Sequence, residues 1–221
     1  MKIKIKDNIL TILKELPSTT KLVAVSKFIS DDLILEAYNN GIRDFAENRP
    51  QEMSAKMERL PADIRWHFIG RLQTNKIKMI INRVHLIHSV DSIKLLSEIS
   101  KEAAKRGLFP SILLQQHISE EESKQGFTFD EMFEASKFAI ERGNIKVCGV
   151  MGMASFTDDL AKVRSEFAAL KGTFDSLKRD LFSDINYFSE ISMGMSGDYI
   201  VAVEEGSTMV RIGTGIFGSR Y

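Results

Sequence analysis

The chain has 221 residues, of which 43% are hydrophobic and 27% charged, and its formal net charge is +0. This length permits one sizeable core. The balanced charge gives no reason to expect nucleic acid or an anionic membrane as a partner. No apolar run approaches the ~20 residues that span a membrane. A single cysteine, Cys148, excludes an internal disulfide and a multi-cysteine metal site, and the N-terminus lacks the pattern of a signal peptide, so we expect a cytoplasmic protein.

Taken in order, the sequence alternates between short apolar runs rich in β-branched residues and amphipathic segments with helical spacing. A polar helix is predicted over 6–15, and eight strand-then-helix units follow it with short links. The predicted strands are 22–25, 44–48, 65–70, 85–90, 110–118, 146–153, 187–193 and 208–212. The predicted helices between them are 33–41, 51–60, 74–82, 92–107, 129–143, 159–181 and 199–206.

This alternation predicts an α/β protein in which residues 1–221 form one domain, a single (β/α)8 TIM barrel with an extra N-terminal helix. No linker rich in proline, glycine or serine divides the chain. An open doubly wound sheet is the alternative architecture. It is less favoured because no G-x-G-x-x-G follows the first strand, where Lys27 stands instead.

In a TIM barrel the active site lies at the C-terminal ends of the strands, and three of these ends carry informative residues. Lys27 follows the first strand, Ser192 to Asp198 follow the seventh, and Gly213-Thr214-Gly215 follow the eighth. Glycines and hydroxyl residues let backbone N–H groups approach an anion, and the last two loops are the usual phosphate site of this fold. The simpler alternatives are tight turns and a lysine that marks where the strand reaches water.

A lysine beside a phosphate site suits a Schiff base to a phosphorylated carbonyl compound. The amine must be neutral to attack, which partial burial or a neighbouring cation favours. Arg211 is the available cation, because the last strand of a closed barrel pairs with the first. Strand periodicity leaves open whether Arg211 faces inward or outward.

Seven sequence blocks, spread almost from end to end of the chain, match a known family. The sequence resembles the pyridoxal-phosphate homeostasis protein family, whose members are similar to the N-terminal barrel of alanine racemases, among the fold type III pyridoxal-phosphate proteins. The matching blocks are LVAVSK (22–27), FAENRPQE (45–52), WHFIGRLQTNK (66–76), ISEEESKQGF (118–127), GVMGM (149–153), ISMGMSGD (191–198) and STMVRIGTGIFGSR (207–220).

The resemblance implies one barrel that binds pyridoxal 5′-phosphate (PLP), a form of vitamin B6, and no metal. By this resemblance Lys27 forms the Schiff base and Arg211 faces the pyridine nitrogen. The remaining cofactor-binding residues that it implies are Asn48, Ser192, Gly213 and Thr214, of which the last three hold the phosphate.

The residues favour holding the cofactor over turning over an amino acid. Arginine is always charged and accepts no proton, so Arg211 would keep the pyridine nitrogen unprotonated, which makes the ring a poorer electron sink. The sequence ends at Tyr221, without the second domain that supplies another base in racemases of this fold. We therefore expect a monomeric carrier or regulator that delivers PLP to apo PLP-dependent enzymes and is not itself an enzyme. A racemase or a Schiff-base aldolase on the same barrel is the alternative.

Two further features have open roles. Lys124, in the loop after the fifth strand, either takes part in cofactor transfer or is a surface lysine that steers the phosphate. His67 is interpreted as a core histidine, with a position near the cofactor as the alternative. His85 and His88 are interpreted as structural, because no carboxylate stands at ligand spacing from them.

Overall fold

The computed structural model of the chain describes residues 4–120 and 125–218. Its strands are β1 (Lys21–Val25), β2 (Asp44–Glu47), β3 (Arg65–Phe68), β4 (Leu86–Val90), β5 (Ser111–Gln115), β6 (Lys146–Met151), β7 (Glu190–Ser192) and β8 (Met209–Ile212). All eight are parallel and form a closed barrel in chain order, with β1 also paired to β8. The predicted (β/α)8 TIM barrel is confirmed.

Helices surround the barrel. They are α1 (Ile5–Glu15), α2 (Asp31–Asn39), α3 (Pro50–Arg59), α4 (Ile77–Ile80), α5 (Ile93–Arg106), α6 (Phe129–Arg142), α7 (Leu160–Asp180), α8 (Tyr199–Glu204) and α9 (Thr214–Phe217). The extra N-terminal helix, α1, is confirmed. Within the described residues, no helix is both long enough and apolar enough to cross a membrane.

Two layers of apolar side chains hold the fold. The larger layer lies between the barrel and the helices and includes Phe45, Phe68 and Phe167, all fully buried. A smaller, separate cluster fills the barrel interior. Strand residues alternate between these two layers, so each strand is buried on both faces. The members of the interior cluster are Val23, Val25, Ala46, Leu86, Leu113, Cys148, Met151 and Met209.

Seven of the strands are shorter than predicted, and β1 begins one residue earlier than predicted, at Lys21. The predicted strand 187–193 contains only the three paired residues of β7, since Phe188 lies before the ladder and stacks on Phe182, with ring centroids 4.2 Å apart. The predicted helix 74–82 is a 3-10 turn, Thr74–Lys76, followed by the one-turn helix α4. Helix α9 was not predicted. These differences leave the order of the elements unchanged.

Candidate functional site

A cavity of about 590 Å³ opens at the C-terminal ends of the strands. Residues at the C-terminal ends of β1, β6 and β8 and in the segments that follow β1, β2, β3, β6, β7 and β8 form its wall. Ser192 is not part of this wall, and Lys124 lies outside the described residues. The other predicted cofactor-binding residues all line the cavity, namely Lys27, Asn48, Arg211, Gly213 and Thr214.

Lys27 lies two residues beyond β1 in a loop that is held on both sides. The Ser26 N–H donates to the Ala46 carbonyl at 2.9 Å, which continues the pairing of β1 with β2. Phe28 has φ 62°, in the left-handed region that is uncommon for residues other than glycine, and its N–H donates to Glu52 Oε1 at 2.8 Å. These contacts fix the backbone around Lys27 where its half-buried side chain enters the cavity wall.

A buried ion pair lies next to this loop. Lys56 Nζ donates to Glu47 Oε1 and to the Ser26 carbonyl, each at 2.8 Å, and the two charged side chains are 4% and 0% exposed. The Ser26 hydroxyl donates to the same Glu47 oxygen at 2.6 Å. Burial raises the pKa of Glu47, although the charge of Lys56 acts in the opposite direction. This pair could not be predicted from the sequence, because helical spacing alone does not show which lysine of an amphipathic helix is buried.

Arg211 points into the barrel, which decides between the two orientations that the sequence left open. Its Nη1 donates to Ser192 Oγ at 2.6 Å and its Nη2 to the Gly152 carbonyl at 3.1 Å. Burial lowers the pKa of Arg211 to about 10, with a smaller opposing effect of Asp198. The guanidinium therefore keeps its positive charge at neutral pH inside a largely apolar barrel.

The loops after β7 and β8 meet at the cavity. Ser196 and Gly197 from the first loop and Gly213 and Thr214 from the second all line it. The Gly215 N–H donates to Ser196 Oγ at 3.3 Å, which joins the two loops. Backbone amides and hydroxyl groups from two loops at this position are the donor set that a phosphate prefers.

Ser192, the third residue expected to hold the phosphate, is not among the residues that line the cavity. It ends β7 and is fully buried, and its hydroxyl is bonded to Arg211 and, at 2.9 Å, to His88 Nδ1. Its hydroxyl therefore lies among buried side chains of the barrel interior. Ser196, four residues later in the loop, is the serine of this segment that reaches the cavity.

His67 and His85 lie close to a carboxylate, that of Asp44, which the sequence spacing did not show. His67 Nε2 is 3.0 Å from Asp44 Oδ1, and His67 Nδ1 is 2.8 Å from His88 Nε2. The ligand atoms of Asp44, His67 and His85 lie within 4.8 Å of one another. Arg65 Nε also donates to Asp44 Oδ1 at 2.7 Å, so this carboxylate is already paired with two partners. His67 and His88 are buried and hydrogen-bonded within the barrel.

The rest of the cavity is mostly apolar. Val25, Ile69 and Val163 contribute to its wall, and Phe156 and Leu160 contribute exposed apolar side chains. Its volume is within the usual range of about 300–1,000 Å³ for small-molecule sites. A lysine amine, a buried guanidinium and two loops with glycine amides and hydroxyl groups line one largely apolar cavity, and this set of groups suits a flat ligand with a carbonyl group and a phosphate.

Comparison with known proteins identifies the family. The family model described as "Alanine racemase, N-terminal domain" matches residues 3–221. The pyridoxal phosphate homeostasis protein of Aquifex aeolicus is 40% identical over 201 residues, which cover 90% of this chain and 87% of that protein. Its counterpart in Synechocystis sp. is 37% identical over 212 residues, 95% of each chain. The chain therefore belongs to the alanine racemase N-terminal domain family and, within it, to the pyridoxal phosphate homeostasis proteins.

Solved structures agree with this assignment. PipY of Synechococcus elongatus, solved without PLP, superimposes with a TM-score of 0.91 at 32% identity, covering 97% of this chain and 100% of PipY. PipY with PLP bound gives a TM-score of 0.87 at 31% identity and the same coverage. An alanine racemase of Clostridium difficile gives 0.75 at 14% identity, with 98% of this chain and 56% of the racemase covered. At that identity the likeness shows the fold alone.

Proposed function

We propose that this chain binds PLP in the cavity at the C-terminal ends of the strands and takes part in intracellular PLP homeostasis and delivery, without efficient turnover of an amino acid. The observation that carries the proposal is that Lys27, the buried Arg211 and the loops after β7 and β8 share one cavity. The names of the relatives and the structure of PipY with PLP bound support it.

The residues present fit this cofactor. Gly197, Gly213 and Thr214 would hold the phosphate, and Arg211 would face the pyridine nitrogen. Asn48 Oδ1 is buried and has no hydrogen-bond partner among the described residues. Buried polar atoms are nearly always hydrogen-bonded, so a ligand donor such as the ring hydroxyl of PLP would satisfy it.

Lys27 supplies the covalent attachment. The chemistry that PLP would supply is an aldehyde, with which the Lys27 amine could form one carbon–nitrogen bond as one water is released. This bond forms reversibly, so the same lysine can hold the cofactor and later release it to water or to a second amine. A carrier needs this reversibility, and one lysine in an open cavity is enough for it.

The charge of Arg211 favours binding of PLP over turnover of an amino acid. A guanidinium only donates hydrogen bonds, so the ring nitrogen opposite it accepts one and stays unprotonated. That state weakens the ring as an electron sink. We propose that the recipients are apo PLP-dependent enzymes, whose own lysines would take over the aldehyde carbon. The exposed side chains of Phe156 and Leu160 at the cavity offer an apolar surface for such an encounter.

Titration of the purified protein with PLP tests the proposal. The parent protein is expected to develop an absorption band at the edge of the visible range, and Lys27→Ala is expected to abolish it. Lys21→Ala is the matched control, because Lys21 begins the same strand and lines a cavity at the opposite end of the barrel. It should keep the band. A band that survives in Lys27→Ala would contradict the proposal.

A second arm separates the carrier from a racemase. The PLP-loaded protein is incubated with L-alanine, and the enantiomers are separated by chiral chromatography. We expect no more D-alanine than with the Lys27→Ala protein supplied with the same PLP. D-alanine formed catalytically by the parent, and lost in Lys27→Ala, would favour the racemase.

A further inference from the structure

A chain of four hydrogen bonds runs through the barrel from the cavity to the opposite end. Arg211 Nη1 is 2.6 Å from Ser192 Oγ, which is 2.9 Å from His88 Nδ1. His88 Nε2 is 2.8 Å from His67 Nδ1, and His67 Nε2 is 3.0 Å from Asp44 Oδ1. All five side chains are buried. Strands β4 and β7 are not neighbours, so the bond from His88 to Ser192 crosses the barrel interior.

The two ends of the chain fix its direction. Arg211 has only N–H donors, and an ionised carboxylate only accepts. Burial opposes the ionisation of Asp44, but hydrogen bonds from Arg65 and His67 outweigh it and hold the pKa of Asp44 well below its usual value. Asp44 is therefore ionised at neutral pH. In a hydrogen-bond chain that begins with an obligatory donor and ends with an obligatory acceptor, every bond can have its donor on the same side.

This direction assigns both histidine tautomers. Arg211 donates to the Ser192 hydroxyl, and that hydroxyl donates to Nδ1 of His88. His88 then donates from Nε2 to Nδ1 of His67, which donates from Nε2 to Asp44. Both imidazoles are neutral in this arrangement. Burial holds the pKa of His88 well below its usual value, which agrees with a neutral ring.

The opposite arrangement is less favourable. If His88 carried its proton on Nδ1, the Ser192 hydroxyl would receive two donors, and its own proton would need another acceptor. His67 would then have to donate to both Asp44 and His88, which requires a second proton on its ring next to Arg65. The forward chain needs neither feature and gives both nitrogens of each imidazole ring a hydrogen-bond partner.

We propose that Ser192, His88 and His67 act together as positioning residues that fix the Arg211 guanidinium through a one-directional hydrogen-bond chain ending at Asp44. With Nη1 held by Ser192 and Nη2 by the Gly152 carbonyl, the guanidinium plane cannot rotate. Its remaining donors therefore keep a constant direction. The consequence for PLP rests on the proposed function, whereas the tautomers are a property of the protein without cofactor.

Nitrogen-15 NMR of the cofactor-free protein with labelled histidine tests the chain directly. The sequence has four histidines, so single His→Gln variants assign every ring. We expect the shared proton on His88 Nε2, a scalar coupling from this nitrogen to Nδ1 of His67 across the hydrogen bond, and no proton on Nδ1 of either ring. A proton on His88 Nδ1, or the absence of the inter-histidine coupling, would overturn the proposal.

Ser192→Ala tests the positioning role, with Ser136→Ala as the matched control. Ser136 is a fully buried serine on α6 whose hydroxyl has no hydrogen-bond partner among the described residues. In cofactor-free Ser192→Ala, His88 should gain a population with the proton on Nδ1, and PLP should bind roughly 10-fold more weakly, as expected for one lost hydrogen bond. Ser136→Ala should leave both readouts unchanged.

The outcomes separate the two proposals. If Ser192→Ala binds PLP as tightly as the parent does, the positioning role is overturned while PLP binding stands. If neither protein binds PLP, the proposed function fails, and the NMR result alone decides on the chain. If Ser192→Ala does not fold, the parent protein still shows or lacks the predicted coupling between the histidines.

Discussion

Lys56 and Glu47 form an ion pair inside the protein, with Nζ 2.8 Å from Oε1, and both are bonded to Ser26, the residue before Lys27. The pair links the end of β2 to α3 and supports the loop that carries Lys27. Glu47 Oε2 has no hydrogen-bond partner among the described residues. Lys56 is therefore the main compensation for a carboxylate buried in an apolar environment.

Removing Lys56 should be costly. Lys56→Met leaves Glu47 buried without its counter-charge, and we expect the free energy of unfolding to fall by about 3–5 kcal/mol, measured by chemical denaturation. Lys101→Met is the control, because Lys101 makes an exposed pair with Glu98 and should change stability by less than ~1 kcal/mol. Equal effects of the two variants would show that the buried pair does not stabilise the fold.

Asp44 should make stability fall in acid. Because its folded-state pKa lies below the ordinary value of 3.8, its contribution is present above pH 3.8 and is lost as the pH falls toward the folded-state pKa. Asp44→Asn should therefore be less stable than the parent at pH 7 by roughly 1.5–3 kcal/mol, and the two stability curves should converge below pH 3.8. Asp7→Asn, at an exposed position, should run parallel to the parent. A constant gap for Asp44→Asn down to pH 2 would contradict this account.

Arg211 should contribute to PLP affinity through its charge and its planar geometry. Arg211→Gln removes a charge-assisted donor, so we expect PLP to bind about 10- to 100-fold more weakly in an absorbance titration. Arg211→Lys keeps the charge but loses the planar guanidinium with its two donor groups. Its affinity for PLP should therefore lie between that of the parent and that of Arg211→Gln. Parent-like affinity in Arg211→Gln would mean that Arg211 does not face the ligand.

The order of the elements could be predicted from the sequence because each strand is a short apolar run and each helix has a polar face. Strand ends could not, since Phe188 is as apolar as a strand residue but packs against Phe182 outside the ladder. Helix α9 is a single turn that contains Gly215, and neither its length nor its composition indicates a helix.

The cavity residues could be predicted where a loop sequence is itself informative, as with Lys27 and the glycines after β8. Ser192 and Ser196 occur in one short block, and only the end of the β7 ladder determines which of them reaches the cavity. The hydrogen-bond chain that links Asp44 to Arg211 could not be predicted from the sequence, because it joins side chains from five strands. Its formation depends on their register around the barrel.

Lys124 remains a prediction from the sequence, since it lies outside the described residues. We expect Lys124→Ala to retain PLP on Lys27 but to slow cofactor transfer to an apo PLP-dependent enzyme, followed as recovery of that enzyme's activity. Lys137→Ala, an exposed lysine on α6, is the control. Equal transfer rates for Lys124→Ala and the parent, at matched cofactor loading, would remove Lys124 from delivery.

Covalent mapping of the cofactor tests the central claim most directly. The protein is loaded with PLP, reduced with borohydride to fix the carbon–nitrogen bond, digested, and analysed by peptide mass spectrometry. The account predicts one modified residue, Lys27, with close to one cofactor per chain. A cofactor fixed on another lysine, or none fixed at saturating PLP, would contradict it.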